Sequence, residues 1–283
     1  VQIIRSFLFA PGSNSKLMQK ALTVGADAII FDLEDAVAVS EKEKARALAA
    51  EIVGRGEHQC LTYIRINSWD TSWAKADLAA AINAGVGGIM LPKAEDPAVV
   101  KAVAGLLPPN VDFIPLVETA KGILNAYAIA DCSDRVSRLA FGAIDFTLDI
   151  GADYSKTGTE LLYARSQLVV ASRAAGLLPP VDTVFPDLAD SAGLETELNR
   201  VKQLGMFGKL AIHPKQISPI NQLFTPSAEE IEDAIQVIKA FEEAQNKGVA
   251  SIEINGKFVD YPVVAKAKRL IELSKLKRAE RVD

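Results

Sequence analysis

Gly85-Val86-Gly87-Gly88-Ile89-Met90-Leu91-Pro92-Lys93 places its glycines before a short apolar run and a cation soon after it. A dinucleotide-binding turn has the reverse order, its Gly-x-Gly-x-x-Gly following a strand and opening a helix. The stretch therefore argues against an open doubly wound sheet of that kind. The run Gly88–Leu91 shows no polar alternation, so it reads as a strand buried on both faces, as in a parallel sheet.

Working outward, similar runs occur at residues 6–9, 28–33 and 61–66 on one side and at 113–117, 138–141, 181–185 and 209–212 on the other. Helical periodicity lies between them, at 17–24, 76–84, 98–107 and 162–175. A further helix opens at Ser40, which forms a capping-box pattern with Glu43, and its apolar side runs through Ala45, Leu48, Ala49 and Ile52. Eight strands alternating with helices, at a repeat of roughly 25–30 residues, predict a (β/α)8 TIM barrel over residues 1–225.

Residues 226–283 add no barrel unit. Ser227 and Glu230 give a second capping box, ahead of Ile231, Ile235, Ile238 and Phe241 on one helical side. Ile252-Glu253-Ile254 and Lys257-Phe258-Val259 flank Asn255-Gly256, a strong hairpin signal. Pro262 begins a last helix through Leu270, Ile271 and Leu273. The expectation is a helix–hairpin–helix extension that packs on a neighbouring subunit.

Composition narrows the function. Hydrophobic residues make up 49% and charged residues 24% of the 283-residue chain, the usual balance of a globular protein. A net charge of −5 argues against nucleic acid or a membrane surface as partner. No apolar run reaches the length of a membrane span, no signal-peptide pattern opens the chain, and Cys60 and Cys132 form no disulfide framework. The expected location is the cytoplasm. With only His58 and His213, a histidine-ligated zinc site is not expected, and no Gly-x-Ser-x-Gly elbow occurs.

In a barrel of this type the chemistry sits where the strands end. The first strand leads to Pro11-Gly12-Ser13-Asn14 and Lys16, and the second into Asp32, Glu34 and Asp35. The third carries Arg65 and Asn67, the fourth leads to Lys93, the fifth to Glu118, the sixth to Asp145 and the last to His213. So many ionisable groups at one rim must pair with each other, a metal or a substrate. Glu118 and Asp145 each follow an apolar strand and adjoin small residues. Two carboxylates with open positions suit Mg²⁺, for which Mn²⁺ can substitute. His213 reads as a hydrogen-bonded rim residue.

Motif by motif, the chain resembles the citrate lyase β-subunit/malyl-CoA lyase family of the HpcH/HpaI aldolase-like superfamily. The resemblance rests on Arg5-Ser6-Phe7-Leu8-Phe9-Ala10-Pro11-Gly12, Phe31-Asp32-Leu33-Glu34-Asp35-Ala36-Val37 and Ile64-Arg65-Ile66-Asn67. It continues in Leu91-Pro92-Lys93, Pro115-Leu116-Val117-Glu118-Thr119, Gly142-Ala143-Ile144-Asp145-Phe146 and Ile212-His213-Pro214. It implies a trimeric or hexameric barrel that makes or cleaves carbon–carbon bonds in acyl thioesters with Mg²⁺. By the same resemblance Glu118 and Asp145 are the metal ligands, Arg65 faces the substrate, and Arg5 and Lys16 hold coenzyme A phosphates. Gly256-Lys257-Phe258-Val259-Asp260-Tyr261-Pro262 resembles a lid whose aspartate, here Asp260, enters a neighbour's site as the proton carrier. Ile144 stands where many relatives carry an acid, which bears on substrate identity. The implied substrate is an acyl-CoA such as malyl-CoA or citramalyl-CoA, cleaved to a 2-oxo acid and an acyl-CoA. A citryl-carrier-protein lyase subunit and a thioester-hydrolysing relative are the alternatives.

Overall fold

Alternate residues of each apolar run face opposite ways, and both faces are covered. In the computed structural model, which describes residues 4–56, 60–246 and 248–275, Phe7, Ile30, Tyr63, Met90, Ile114, Leu116 and Leu210 form an inner cluster. Leu8, Ile29, Phe31, Ile64, Ile89, Phe113 and Phe141 belong to an outer cluster under the helices. This double burial is why the strands read as continuous apolar runs, and each fully buried large side chain stabilises the fold by about 1.5–3 kcal/mol.

The strands are β1 (Ser6–Pro11), β2 (Ala28–Asp32), β3 (Leu61–Arg65), β4 (Gly88–Leu91), β5 (Asp112–Val117), β6 (Ala140–Phe141) and β7 (Lys209–Ala211). They form one parallel seven-stranded sheet in the order β6-β5-β4-β3-β2-β1-β7. The covering helices are α1 (Ser15–Ala21), α2 (Lys42–Gly54), α3 (Ala74–Asn83), α4 (Pro97–Ala104), α5 (Ala120–Leu124), α6 (Ala126–Ala130), α7 (Ala143–Ile150), α8 (Leu162–Ala174), α9 (Ser191–Leu204) and α10 (Ile217–Leu223). Inside, Tyr63 meets Phe7 edge-on at 5.6 Å. Gly88 lies beneath the Tyr63 ring, where a Cβ would collide with it.

The strand expected at 181–185 shrinks to two residues. Val181 bridges Ala140 of β6 and Asp182 bridges Lys209 of β7, which joins the two edges of the curled sheet. Pro179 and Pro180 before it and Pro186 after it offer no N–H, and Thr183 instead accepts the Ala143 N–H at 2.9 Å. Around this seam lies a fully enclosed charge network. Arg165 of α8 and Lys209 both bind Asp182, at 2.8 and 2.5 Å, and both bind Glu197 of α9, at 3.1 and 2.6 Å.

The Ser40–Glu43 capping box does not form. A short 3-10 turn, Val39–Glu41, leads into α2, which has no side-chain cap. Lys42 turns back and donates to the Leu33 and Glu34 carbonyls at 2.7 and 2.6 Å. The Ser227–Glu230 box does form, with bonds of 3.0 and 2.8 Å, and opens α11 (Ala228–Gln245). The β8 (Ile252–Ile254) and β9 (Lys257–Val259) hairpin turns on Asn255 and Gly256, both at positive φ, and α12 (Tyr261–Lys275) follows.

This C-terminal segment has its own apolar cluster, with Val259 and Val264 against Phe241. The hairpin thus packs on α11 of its own chain. The end of the expected extension, residues 276–283, and residues 1–3 lie outside the described residues. Among the described residues, no helix is long and apolar enough to cross a membrane.

Candidate functional site

β2 and β3 run in register with Asp32 opposite Arg65, and each is the last residue of its strand. The pairing thus sets a carboxylate beside a guanidinium on the C-terminal rim. Arg65 donates from Nε and Nη2 to the two Asp32 oxygens, both at 2.7 Å. Asp32 also accepts the Glu34 and Ala36 N–H groups. Burial alone would raise its carboxyl; the Arg65 charge and these bonds outweigh burial and hold it below the usual range.

The rest of the guanidinium faces an acidic group. Arg65 Nη1 lies 3.1 Å from Glu34 and 3.4 Å from Asp35, and the Phe9 ring lies 4.9 Å from the guanidinium carbon. Lys93 Nζ is 3.4 Å from the other Glu34 oxygen. Neither buried Glu34 oxygen accepts a hydrogen bond, and burial pushes its carboxyl up to about 7.

Glu118 follows β5 directly and is 2% exposed. Burial first, then the Glu34 charge, push its carboxyl up to about 8, and the Asp145 charge acts in the same direction. Its Oε1 accepts the Lys93 N–H at 2.8 Å. Lys93 has φ +50°, a left-handed conformation that is costly for a side-chain-bearing residue. Gly142 lies against the other oxygen; a Cβ there would come within 2.5 Å of Oε2. The space beside Gly142 is filled by Glu118 itself. Asp145 is half-buried in the first turn of α7, where the helix end favours a carboxylate.

The loops are held from behind. Asp77 of α3, fully buried, accepts from Arg46 at 2.7 Å and from the Asn67 side chain at 2.6 Å. With Lys42 on the Leu33 and Glu34 carbonyls, these bonds fix the ends of β2 and β3. Sequence reading passed over Lys42, Arg46 and Asp77, because all three sit in ordinary charged stretches of helix.

Arg65, Glu118 and Asp145 therefore share one rim. Lys16 is exposed on α1, next to the end of β1, and has no ion pair among the described residues. Arg5 is elsewhere. It precedes β1, at the opposite end of the sheet, and grips Asp27 through Nε and Nη2 at 2.8 and 2.7 Å while Nη1 donates to Thr225. Its buried guanidinium is occupied by that pin, so it is not offered to a phosphate. Asp260 caps α12, accepting the Val263 N–H at 3.3 Å. His213 Nδ1 accepts the Lys215 N–H, in keeping with a rim role.

Among the described residues no three acidic, histidine or cysteine side chains converge as a preformed metal cage. The donor set nonetheless fits a hard divalent cation. Glu118 and Glu34 are two carboxyls that burial pushes up, so each ionises fully near neutral pH only with further positive charge beside it, and such a cation takes its remaining ligands from water or substrate oxygens.

Known proteins share this architecture. Residues 5–214 match the model of the HpcH/HpaI aldolase/citrate lyase family, and residues 164–276 match that of the carbon–carbon bond lyases of the TIM-barrel fold. The citrate lyase subunit beta of Leuconostoc mesenteroides subsp. cremoris is 39% identical over 95% of this chain and 93% of its own. The (3S)-malyl-CoA thioesterase of Cereibacter sphaeroides is 37% identical over 94% and 93%. The crystal structure of CitE from Mycobacterium tuberculosis in complex with magnesium, acetoacetate and coenzyme A superposes with a TM-score of 0.81 at 29% identity, covering 97% of this chain and 98% of that one. The chain belongs to the HpcH/HpaI aldolase/citrate lyase family.

Proposed function

We propose that the chain is a divalent-metal-dependent carbon–carbon lyase that cleaves a β-hydroxyacyl-CoA, such as malyl-CoA or citramalyl-CoA, into a 2-oxo acid and an acyl-CoA. The observation that carries this reading is the excess of buried carboxylate around one fixed guanidinium, with Glu118 at about 8 and Glu34 at about 7 beside Arg65. Glu118 and Asp145 would hold Mg²⁺. When bound, the cation supplies Lewis-acid polarisation of the substrate's hydroxyl and carboxylate oxygens. The CitE complex with magnesium, acetoacetate and coenzyme A supports this choice.

In the reaction the substrate hydroxyl gives its proton to solvent, its oxygen becomes the carbonyl of the 2-oxo acid, and the adjacent carbon–carbon bond breaks. Its electron pair moves into the thioester fragment as an enolate. Arg65, locked by Asp32 and permanently charged, stabilises the oxygen on which that charge collects. Asp260 of a neighbouring copy returns a proton to the enolate carbon, in a trimer or hexamer. Phe258 and Tyr261 beside it are exposed apolar groups that suit such a contact. Lys16, exposed on α1 next to the end of β1, would meet the coenzyme's phosphates.

The relatives favour two further readings: lysis of a carrier-bound citryl ester, as the 39% identity to a citrate lyase subunit suggests, and thioester hydrolysis, as the 37% identity to a thioesterase suggests. One experiment separates them. Purified protein is incubated with Mg²⁺ and malyl-, methylmalyl-, citramalyl- and citryl-CoA, or with citryl-carrier protein. The proposal expects 2-oxo acid from a free CoA ester, abolished in Glu118→Ala. Free thiol without 2-oxo acid, or cleavage of the carrier ester alone, would replace it.

A further inference from the structure

Four arginines are buried among the described residues, and three of them grip an aspartate: Arg5 with Asp27, Arg65 with Asp32 and Arg165 with Asp182. The fourth, Arg138, is 4% exposed and among the described residues has neither an ion pair nor a hydrogen bond, its Nε being buried without a partner. It precedes β6 and points inward, its guanidinium carbon 5.8 Å from the Phe7 ring. Its charge acts on the Tyr63 hydroxyl, which donates to Asp112 at 2.6 Å, yet no carboxylate pairs with it directly among the described residues, and a buried cation without such a partner is costly.

Arg138 lines a cavity of about 420 Å³ at the N-terminal end of the sheet, away from Glu118. Leu178, Met206 and Phe207 form its barrel side and Leu270 of α12 the other. Lys266 and Arg269 of α12 also line it. Of its two acids, Glu230 is held by Lys202 at 3.2 Å and Glu272 is exposed. The cavity therefore combines apolar walls with surplus positive charge, in a chain whose net charge is −5.

We propose that this cavity is a second ligand site, for a carboxylate with an apolar body of medium length. The carboxylate pairs with the Arg138 fork, which matches its two oxygens, and the body lies among Leu178, Met206, Phe207 and Leu270. A bound ligand would touch both the barrel and α12, and so would tie the C-terminal segment to its own barrel.

Octanoate, well below micelle-forming concentrations, is the probe, read by calorimetry and thermal shift on the full chain. The expected result is saturable binding and a raised melting temperature, with much weaker effects from octanol. Arg138→Met should fold at least as stably without ligand and bind octanoate at least about tenfold more weakly. Leu270→Trp, which fills the cavity, should abolish the response. Glu118→Gln should keep it, which separates this site from the metal rim. Equal binding by wild type, Arg138→Met and Leu270→Trp, or no saturable binding to the wild type, overturns the proposal.

Discussion

The backbone N–H of Lys93 donates to Glu118 Oε1 at 2.8 Å, from a residue whose φ of +50° few side-chain-bearing residues adopt. The same lysine sends its ammonium to Glu34. One strained residue thus positions two acids of the rim, and its strain is held by the bonds it makes.

The close fit around Glu118 gives a sharp test. Gly142→Ala would set a methyl group 2.5 Å from Oε2 and 2.7 Å from the Glu118 Cβ, so the carboxylate must move. The expected result is a folded protein that binds Mg²⁺ at least about tenfold more weakly and loses lyase activity in step. Unchanged metal affinity in a calorimetric titration would show that Glu118 is not held by this contact.

Acidity supplies a second test, on metal-free protein. The Glu118 and Glu34 carboxyls sit at about 8 and 7 when folded, above their ordinary range. The folded state therefore keeps protons that the unfolded chain releases between about pH 5 and 8. Stability should be highest below that window and fall as pH rises through it. Glu118→Gln should flatten the fall, and saturating Mg²⁺ should do the same by competing with the proton. A metal-free melting temperature that rises from pH 5 to 8 would contradict the assignment.

Arg5 and Lys16 should behave oppositely. Arg5→Ala leaves Asp27 buried and unpaired, at a cost of about 3–5 kcal/mol, so denaturant melts should show a large loss of stability. Michaelis constants measured on the protein that remains folded should be unchanged. Lys16→Ala should leave stability alone and raise the Michaelis constant for the CoA ester more than it lowers turnover. The reverse pattern would return Arg5 to the ligand.

Asp260 in trans is tested by complementation. Asp260→Ala and Glu118→Ala should each be inactive alone. Mixed oligomers from their co-expression should recover part of the activity, because some sites join an intact barrel to an intact lid. Inactive hetero-oligomers would exclude a shared site. Full activity of Asp260→Ala alone would leave the residue as the α12 cap, the role its 3.3 Å bond to Val263 already fills.

The rim was legible because of its polarity along the chain. Arg65 and Glu118 end or follow apolar runs, and in a parallel sheet every such end lies on one side. Arg5 comes before its run, which puts it on the other side. Motif likeness obscured that simple rule. The strand expected at 181–185 was over-read because Thr183, Val184 and Phe185 look like strand residues, whereas the prolines around them limit the backbone pairing to Val181 and Asp182. The supports behind the rim, Lys42, Arg46 and Asp77, depend on contacts across 8 to 31 residues that no local pattern records.

Those two seam residues also bear on the order in which the molecule comes apart. Four backbone bonds link the two sheet edges there, Val181 to Leu139, Phe141 to Val181, Asp182 to Gly208 and Leu210 to Asp182. The enclosed Arg165–Asp182–Lys209–Glu197 quartet cannot open halfway, since each charge would lose its counterion while still out of water. The seam between β6 and β7 is therefore expected to open as one unit. Amide exchange at Phe141, Val181, Asp182 and Leu210 should accordingly proceed as a single cooperative unit, at one shared opening energy.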